Sequence, residues 1–257
     1  MIATLADRAA ALRALHRPGD PLVLPNVWDA GSARAVAEAG FPAVATSSAA
    51  VAETLGHRDG EATPPEEMFA AVTRVARAVA VPVTADLERG YGLRPGDLVE
   101  RLLAAGAVGL NLEDSDPATG RLVDVEEQAD LLAAVHSAGR AAGVEVVLNA
   151  RLDVFLGPVG EPAARLAEAV RRARRYRAAG ADCVYPIGLT EPASVRALVE
   201  ATDGRVNLLA RPGGPGPAEW AALGVARVSY GHHLYAAARA RTAEQVAAIR
   251  AGADAFA

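Results

Sequence analysis

Val83-Thr84-Ala85-Asp86-Leu87-Glu88-Arg89-Gly90-Tyr91-Gly92 begins as a short β-branched run and ends in two carboxylates spaced i, i+2 and a pair of glycines. An apolar run closed by glycine reads as a buried strand, and the acids beyond it are emptied into a turn. Carboxylates at the mouth of a buried strand point to a metal ion.

Runs of the same kind recur on both sides of it. Residues 22–24, 43–45, 81–85, 109–112, 144–148, 183–185, 206–209 and 226–228 are each apolar and bounded by Gly, Pro or a polar switch, which makes eight buried strands. Between and after them lie amphipathic stretches at 32–39, 65–79, 95–105, 124–142, 162–179, 191–201, 217–223 and from 234 onward, several opened by Pro or Asp in the first turn. A further helix at 6–16 is placed to close the bottom of the fold.

Four of the connections share one pattern: Glu38-Ala39-Gly40-Phe41, Ala104-Ala105-Gly106-Ala107, Ala178-Ala179-Gly180-Ala181 and Ala222-Leu223-Gly224-Val225 each precede a strand. Glycine there takes the left-handed conformation that stops a helix. Eight strands alternating with eight helices predict an α/β fold, a closed (β/α)8 TIM-type barrel formed by residues 1–257 as one domain.

Composition narrows the function. With 257 residues, 51% of them apolar, the chain can bury one large core. A net charge of −5 with both signs scattered offers no basic stripe to nucleic acid or to an anionic membrane. Asp7, Arg8, Arg13 and Arg17 interrupt any signal-peptide core, and 41–52, the longest uncharged apolar stretch, is shorter than the roughly 20 residues that span a bilayer. The expectation is a cytoplasmic protein with a small-molecule partner. One cysteine, Cys183, excludes an intramolecular disulfide and cysteine-rich metal sites. All 26 basic side chains other than histidine are Arg, so no lysine Schiff base can form, and lysine aldolases and pyridoxal enzymes are excluded.

In such a barrel the chemistry sits at the C-terminal ends of the strands. The first strand presents Asn26, Trp28 and Asp29 there; the second Thr46, Ser47 and Ser48; the third Asp86 and Glu88; the fourth Glu113 and Asp114; the fifth Asn149, Arg151 and Asp153. Asp86, Glu88 and Glu113 would repel one another at a low-dielectric mouth unless a hard cation lay between them, and magnesium takes one or two direct carboxylates while keeping waters. The plainer alternative is helix capping, or pairing with Arg89 and Arg151. Arg151 can grip a carboxylate bidentately, or else form a structural ion pair with Asp153 or Glu113. Ser47 and Ser48 suit a carboxylate or simply end a strand. The run from Arg211 to Gly216 reads as a Gly/Pro turn, and His232, His233 and Cys183 as structural.

The ordered set Gly31-Ser32-Ala33-Arg34, Glu38-Ala39-Gly40-Phe41, Ser47-Ser48, Gly56-His57-Arg58-Asp59-Gly60, Ala85-Asp86 to Gly90-Tyr91-Gly92, Gly109-Leu110-Asn111-Leu112-Glu113-Asp114 and Ala150-Arg151-Leu152-Asp153 resembles the isocitrate lyase/phosphoenolpyruvate mutase superfamily. The resemblance implies a barrel holding Mg²⁺ (Mn²⁺ as the alternative) at Asp86, with Asp59, Glu88 and Glu113 as direct or water-mediated neighbours and catalytic roles for Asp59, Glu113 and Arg151. By the same resemblance Ser47, the Ser48 backbone, Asp86 and Arg151 bind a 2-oxo acid or its enolate. It also implies a homo-oligomer, dimer or tetramer, that exchanges its last helix.

Three departures bear on the reaction, one of them after the sixth strand, where Tyr185-Pro186-Ile187-Gly188 stands in place of the acid or His that relatives often carry. The segment Ser115-Asp116-Pro117-Ala118-Thr119-Gly120-Arg121-Leu122-Val123 lacks both the Lys-Arg-Cys-Gly-His lid of the carbon–carbon lyases and the Asn of the phosphonomutases, and Glu88 stands where Asp is more usual. The expected activity is therefore a lyase or decarboxylase acting on a small 2-oxo or 2-hydroxy (di)carboxylic acid through a pyruvate-type enolate. Phosphonopyruvate or phosphoenolpyruvate mutase or hydrolase chemistry, and a non-catalytic 2-oxo acid binder, are the alternatives. Water, Tyr91 and His57 are candidate proton donors.

Overall fold

The first predicted strand, 22–24, ends at Pro25, which has no N–H to give to a ladder, and a second short strand follows at Asn26–Val27. The computed structural model describes residues 3–157 and 161–256; Met1, Ile2, Pro158, Val159, Gly160 and Ala257, all within the span predicted as one domain, lie outside the described residues. In chain order the elements are α1 (Leu5–Ala14), β1 (Leu22–Leu24), β2 (Asn26–Val27), α2 (Ala30–Glu38), β3 (Val44–Thr46), α3 (Ser48–Leu55), α4 (Pro65–Ala78), β4 (Val83–Asp86), α5 (Pro95–Ala104) and β5 (Gly109–Glu113). They continue with α6 (Val125–Ala141), β6 (Val147–Leu152), α7 (Pro162–Ala178), β7 (Cys183–Pro186), α8 (Pro192–Ala201), β8 (Asn207–Leu209), α9 (Pro217–Ala221), β9 (Arg227–Ser229) and α10 (His233–Arg250).

All ladders between these strands are parallel. One sheet runs β2-β3-β4-β5-β6-β7 and the other β1-β9-β8. They join at Pro25, where β1 passes into β2, and at the parallel bridge between Val184 and Val206. The result is an eight-stranded TIM-type barrel ringed by helices, as predicted. Asn26 repairs the break at Pro25: its amide gives a hydrogen bond to the Thr46 carbonyl (2.8 Å) and accepts from the Tyr230 and Gly231 N–H groups (both 2.8 Å).

Two elements differ from the sequence reading. Helix α3 was not predicted, because Ser48, Ala50, Val51 and Ala52 are all buried and its exposed polar residues, Glu53 and Thr54, come only in its last turn, too few to give a helical period. Strand β6 starts three residues late and runs on through Asn149 and Arg151. Val144 and Val146 pack against α6 instead, where a Cβ on Gly139 would lie 2.8 Å from the Val144 carbonyl oxygen and 3.0 Å from Val146 Cγ2.

Helix α1 closes the bottom of the barrel, as expected. Leu12 is fully buried beneath Gly109, whose missing Cβ would come within 2.8 Å of Leu12 Cδ2. Arg13 fastens the helix through Asp182 (Nε to Oδ1, 2.6 Å) and the Val146 carbonyl (3.1 Å). Just beyond, buried His16 gives its Nδ1 proton to the Leu12 carbonyl (2.9 Å) while Nε2 has no partner.

Burial, reinforced by the Arg227 and Arg205 charges and opposed by Asp182, depresses the His16 pKa from 6.5 to about 4. The unfolded chain therefore binds more protons between these values, so stability falls as pH drops from about 6.5 towards 4. The loss from this residue approaches about 3 kcal/mol. Denaturant melts of wild type and His16→Asn between pH 7 and 4.5 should show a smaller pH slope for the variant; parallel slopes would remove His16 as the cause.

Candidate active site

The strand ends and the loop after α3 bring seven predicted residues to one mouth. Ser47, Ser48, Asp59, Asp86 and Arg151 line a cavity of about 320 Å³. Asp59 and Arg151 also line a neighbouring cavity of about 620 Å³, together with Glu88 and Glu113. The two cavities are lobes meeting at Asp59 and Arg151.

Asp86 ends β4 and is held only by neutral donors among the described residues. Its Oδ2 accepts from the Ser48 N–H (3.2 Å) and hydroxyl (3.1 Å), and its Oδ1 from the Asn111 amide (3.2 Å). Thr46 Oγ1 accepts from the Asp86 N–H at 2.9 Å and fixes the strand end.

Glu88 is turned to a different task. Its Oε2 accepts from the Gly60 and Glu61 N–H groups (2.7 and 2.6 Å), and Oε1 accepts from the Tyr91 hydroxyl (2.7 Å). Glu61 returns the contact, taking the Arg89 and Tyr91 N–H groups on Oε1 (3.1 and 2.6 Å). This reciprocal clamp fixes the loop that carries Asp59. It also offsets the left-handed φ of three non-glycine residues, Glu61 (60°), Glu88 (51°) and Tyr91 (57°), a strain of about 1–3 kcal/mol each. Burial pushes the Glu88 carboxyl up to about 7.

Arg151 lies between two acids. It ion-pairs with Glu113 and donates to Asp153 through Nε (2.6 Å) and Nη2 (3.2 Å). Burial alone would lower its pKa, but Asp153, Glu113 and Asp86 hold it raised. Asp153 is itself anchored, its N–H giving to Asp114 Oδ1 at 2.8 Å. Asp114, fully buried, also accepts from Arg172 (3.0 Å) and the Tyr176 hydroxyl (2.9 Å) of α7. A polar line thus runs from an outer helix to the arginine at the mouth.

Burial raises both Asp59 and Glu113, and the Asp86 carboxylate raises each further. At this mouth the ionised Asp86 disfavours a second ionised carboxylate unless a cation lies between them. Arg89, a possible partner for these acids, turns away to Glu127 (2.5 Å) and Gln128 (2.7 Å) of α6. Asp29 caps α2, accepting from the Ser32 N–H (2.7 Å). Among the described residues no three His, Cys, Asp or Glu side chains converge as a ready-made ion cage.

The short segment after β5 folds on itself. A bridge pairs Ser115 with Leu122, and Asp116 Oδ1 takes the Ala118 and Thr119 N–H groups (2.9 and 2.8 Å). Ser115, Asp116, Pro117, Gly120, Arg121 and Leu122 form the outer wall of the larger lobe, with exposed Leu156 opposite.

The family model for phosphoenolpyruvate phosphomutase matches residues 12–250. The chain belongs to this family. An oxaloacetate decarboxylase of Rhodopseudomonas palustris is 33% identical over 258 residues, covering 96% of this chain and 86% of that one. Among solved structures, a candidate phosphonomutase of Burkholderia cenocepacia J2315 superposes with a TM-score of 0.89 at 46% identity, covering 93% of this chain and 99% of that one. An oxaloacetate acetylhydrolase bound to its product oxalate gives 0.83 at 26% identity, covering 96% and 88%. Membership of this phosphomutase family, with decarboxylase and acetylhydrolase relatives, supports lyase-type chemistry.

Sequence reasoning set aside three residues of this phosphomutase-family site. Arg211, His232 and His233 line the smaller lobe with Asp86 and Arg151, facing the acids from the β8 and β9 loops. Their signal was position alone, the ends of the last two strands. Glu61 had none, since nothing in its neighbourhood announces a carboxylate that clamps two backbones. Tyr91 is engaged by Glu88 and His57 by Glu67 (3.2 Å), and neither lines either lobe; Tyr185 does line the smaller one.

Proposed function

We propose that this protein is a Mg²⁺-dependent decarboxylase of a small 2-oxo dicarboxylic acid of the oxaloacetate class, acting in the cytoplasm through a pyruvate-type enolate. The observation that carries the reading is Asp86: a carboxylate braced by neutral donors alone, opening on a cavity it shares with Arg151. The donor set fits a hard cation, because every candidate ligand is a carboxylate oxygen and the Asp86 carboxylate makes ionisation of both Asp59 and Glu113 harder in the absence of a cation. Asp86 would hold the ion directly, with Asp59 and Glu113 reaching it directly or through water; Glu88, whose oxygens are taken, would keep the Asp59 loop in place. Mn²⁺ satisfies the same donors. When bound there, the cation would supply Lewis-acid polarisation of the oxo oxygen.

The chain's own residues supply the rest. Arg151 offers a planar fork to the carboxylate beside the oxo group, and the Ser47 hydroxyl and Ser48 N–H lie on the same wall. Arg211, His232 and His233 face the remote carboxylate. As the bond to that carboxylate breaks, CO₂ departs with the electron pair left on the adjacent carbon as enolate, and a proton from water completes pyruvate. Decarboxylation needs this electron sink but no lid cysteine, which suits the closed turn at 115–123.

The deciding experiment supplies oxaloacetate and Mg²⁺ and follows CO₂ and pyruvate. Release of both is expected; binding without product would leave a non-catalytic binder. Arg211→Met should raise KM for the dicarboxylate by about 10–100-fold, the worth of one charge-assisted hydrogen bond, while oxalate binds as before. An unchanged KM would detach Arg211 from the substrate.

Phosphonopyruvate chemistry is the second reading, favoured by Arg211, His232 and His233, whose donors would equally face a phosphonate. Turnover of phosphonopyruvate in place of oxaloacetate would establish it. A homo-oligomer is also proposed. Helix α10 buries none of its 18 residues and exposes Val246 and Ile249, so a second copy is the natural cover; light scattering showing a monomer would end this.

A further inference from the structure

We propose that Arg227 is a positioning residue for Asp86, acting through Asn111 from inside the barrel. The inference rests on the reading of Asp86 as a metal-holding carboxylate. Arg227 opens β9 and is 1% exposed, yet among the described residues no carboxylate forms an ion pair with it. Its Nε and Nη1 have no acceptor, and its Nη2 lies 3.5 Å from Asn111 Oδ1. A buried cation without a counter-ion is costly, so its placement needs a reason.

Asn111 supplies one. Its Oδ1 accepts from Asn149 Nδ2 (2.8 Å) and faces Arg227, while its Nδ2 donates to Asp86 Oδ1 (3.2 Å). A guanidinium has donors and no acceptor. Were the Asn111 amide turned over, its NH₂ would meet the guanidinium and its oxygen would meet the Asp86 carboxylate. Both contacts are repulsive, so Arg227 fixes which way the amide points. The amide then fixes Asp86 Oδ1, Ser48 fixes Oδ2, and the remaining lone pairs are left in one orientation. Outer residues of this kind commonly change metal affinity by about 10–100-fold when removed.

Mn²⁺ binding to the full chain, followed by the loss of the free-ion paramagnetic resonance signal, tests this without substrate. Arg227→Met should bind Mn²⁺ about 10–100-fold more weakly, and Arg227→Lys, which keeps a donor for Asn111 Oδ1, should recover most of the loss. Asn111→Leu should weaken binding similarly, and the double variant no further, because one path carries both effects. Wild-type affinity in Arg227→Met, or losses that add in full, would overturn the inference. If Arg227→Met does not fold, Asn111→Leu decides it: wild-type Mn²⁺ affinity in that variant would remove the amide through which Arg227 is proposed to act, and overturn the inference. Wild-type protein that binds no Mn²⁺ would instead overturn the metal reading, and this inference with it.

Discussion

Asp86→Ala is expected to abolish Mg²⁺-dependent binding of oxalate and to lower turnover by roughly 10³-fold or more, since the electrostatic sink for the enolate is lost. The fold should survive. The groups stranded by the change are the Ser48 N–H and hydroxyl and the Asn111 amide, all neutral, and no ion pair is broken. A stranded neutral donor costs about 1–3 kcal/mol where water cannot reach it, and this one borders a cavity. Calorimetric titration of oxalate with and without Mg²⁺, beside a thermal melt, separates the two effects. Unchanged oxalate binding in a folded variant would place the ion elsewhere. Glu88→Gln makes a useful contrast. It leaves Asp86 intact but weakens the acceptor for the Gly60 and Glu61 N–H groups, so its effect should come through a loosened Asp59 loop.

The barrel was legible because its signals are local and repeated. Each helix-ending glycine and each apolar run states its own role, and the alternation of eight with eight leaves few topologies. Helix α3 escaped for the same reason the others were found: its first five residues are largely buried, and the two exposed polar residues at its end, Glu53 and Thr54, set no period. Asp86 and Arg151 were legible from their places at strand ends. The partners of Glu88 were not, because Gly60 and Glu61 come from a loop 28 and 27 residues away and meet it only once the barrel is closed. The two readings of Arg151, structural pair or carboxylate grip, are also not exclusive. It pairs with Glu113 and Asp153 while lining both lobes of the cavity.

Arg151→Lys should lower kcat/KM by about 10²-fold, because an ammonium keeps the charge but loses the planar fork. Arg151→Met should cost more and should also destabilise. It removes the cation between Glu113 and Asp153, and breaking a mostly buried pair typically costs about 3–5 kcal/mol. Asp153 bears most of this, since Asp114 and the α7 residues Arg172 and Tyr176 hold it in place and deny it a retreat to solvent. Glu113 has an escape, because burial already favours its protonated form. A divalent ion at the neighbouring Asp86 would restore part of the missing positive charge. The melting temperature of Arg151→Met should therefore rise more with Mg²⁺ than that of wild type, even as its oxalate affinity falls. An equal rise in both proteins would mean that Arg151 and the proposed ion do not share the charge of these acids.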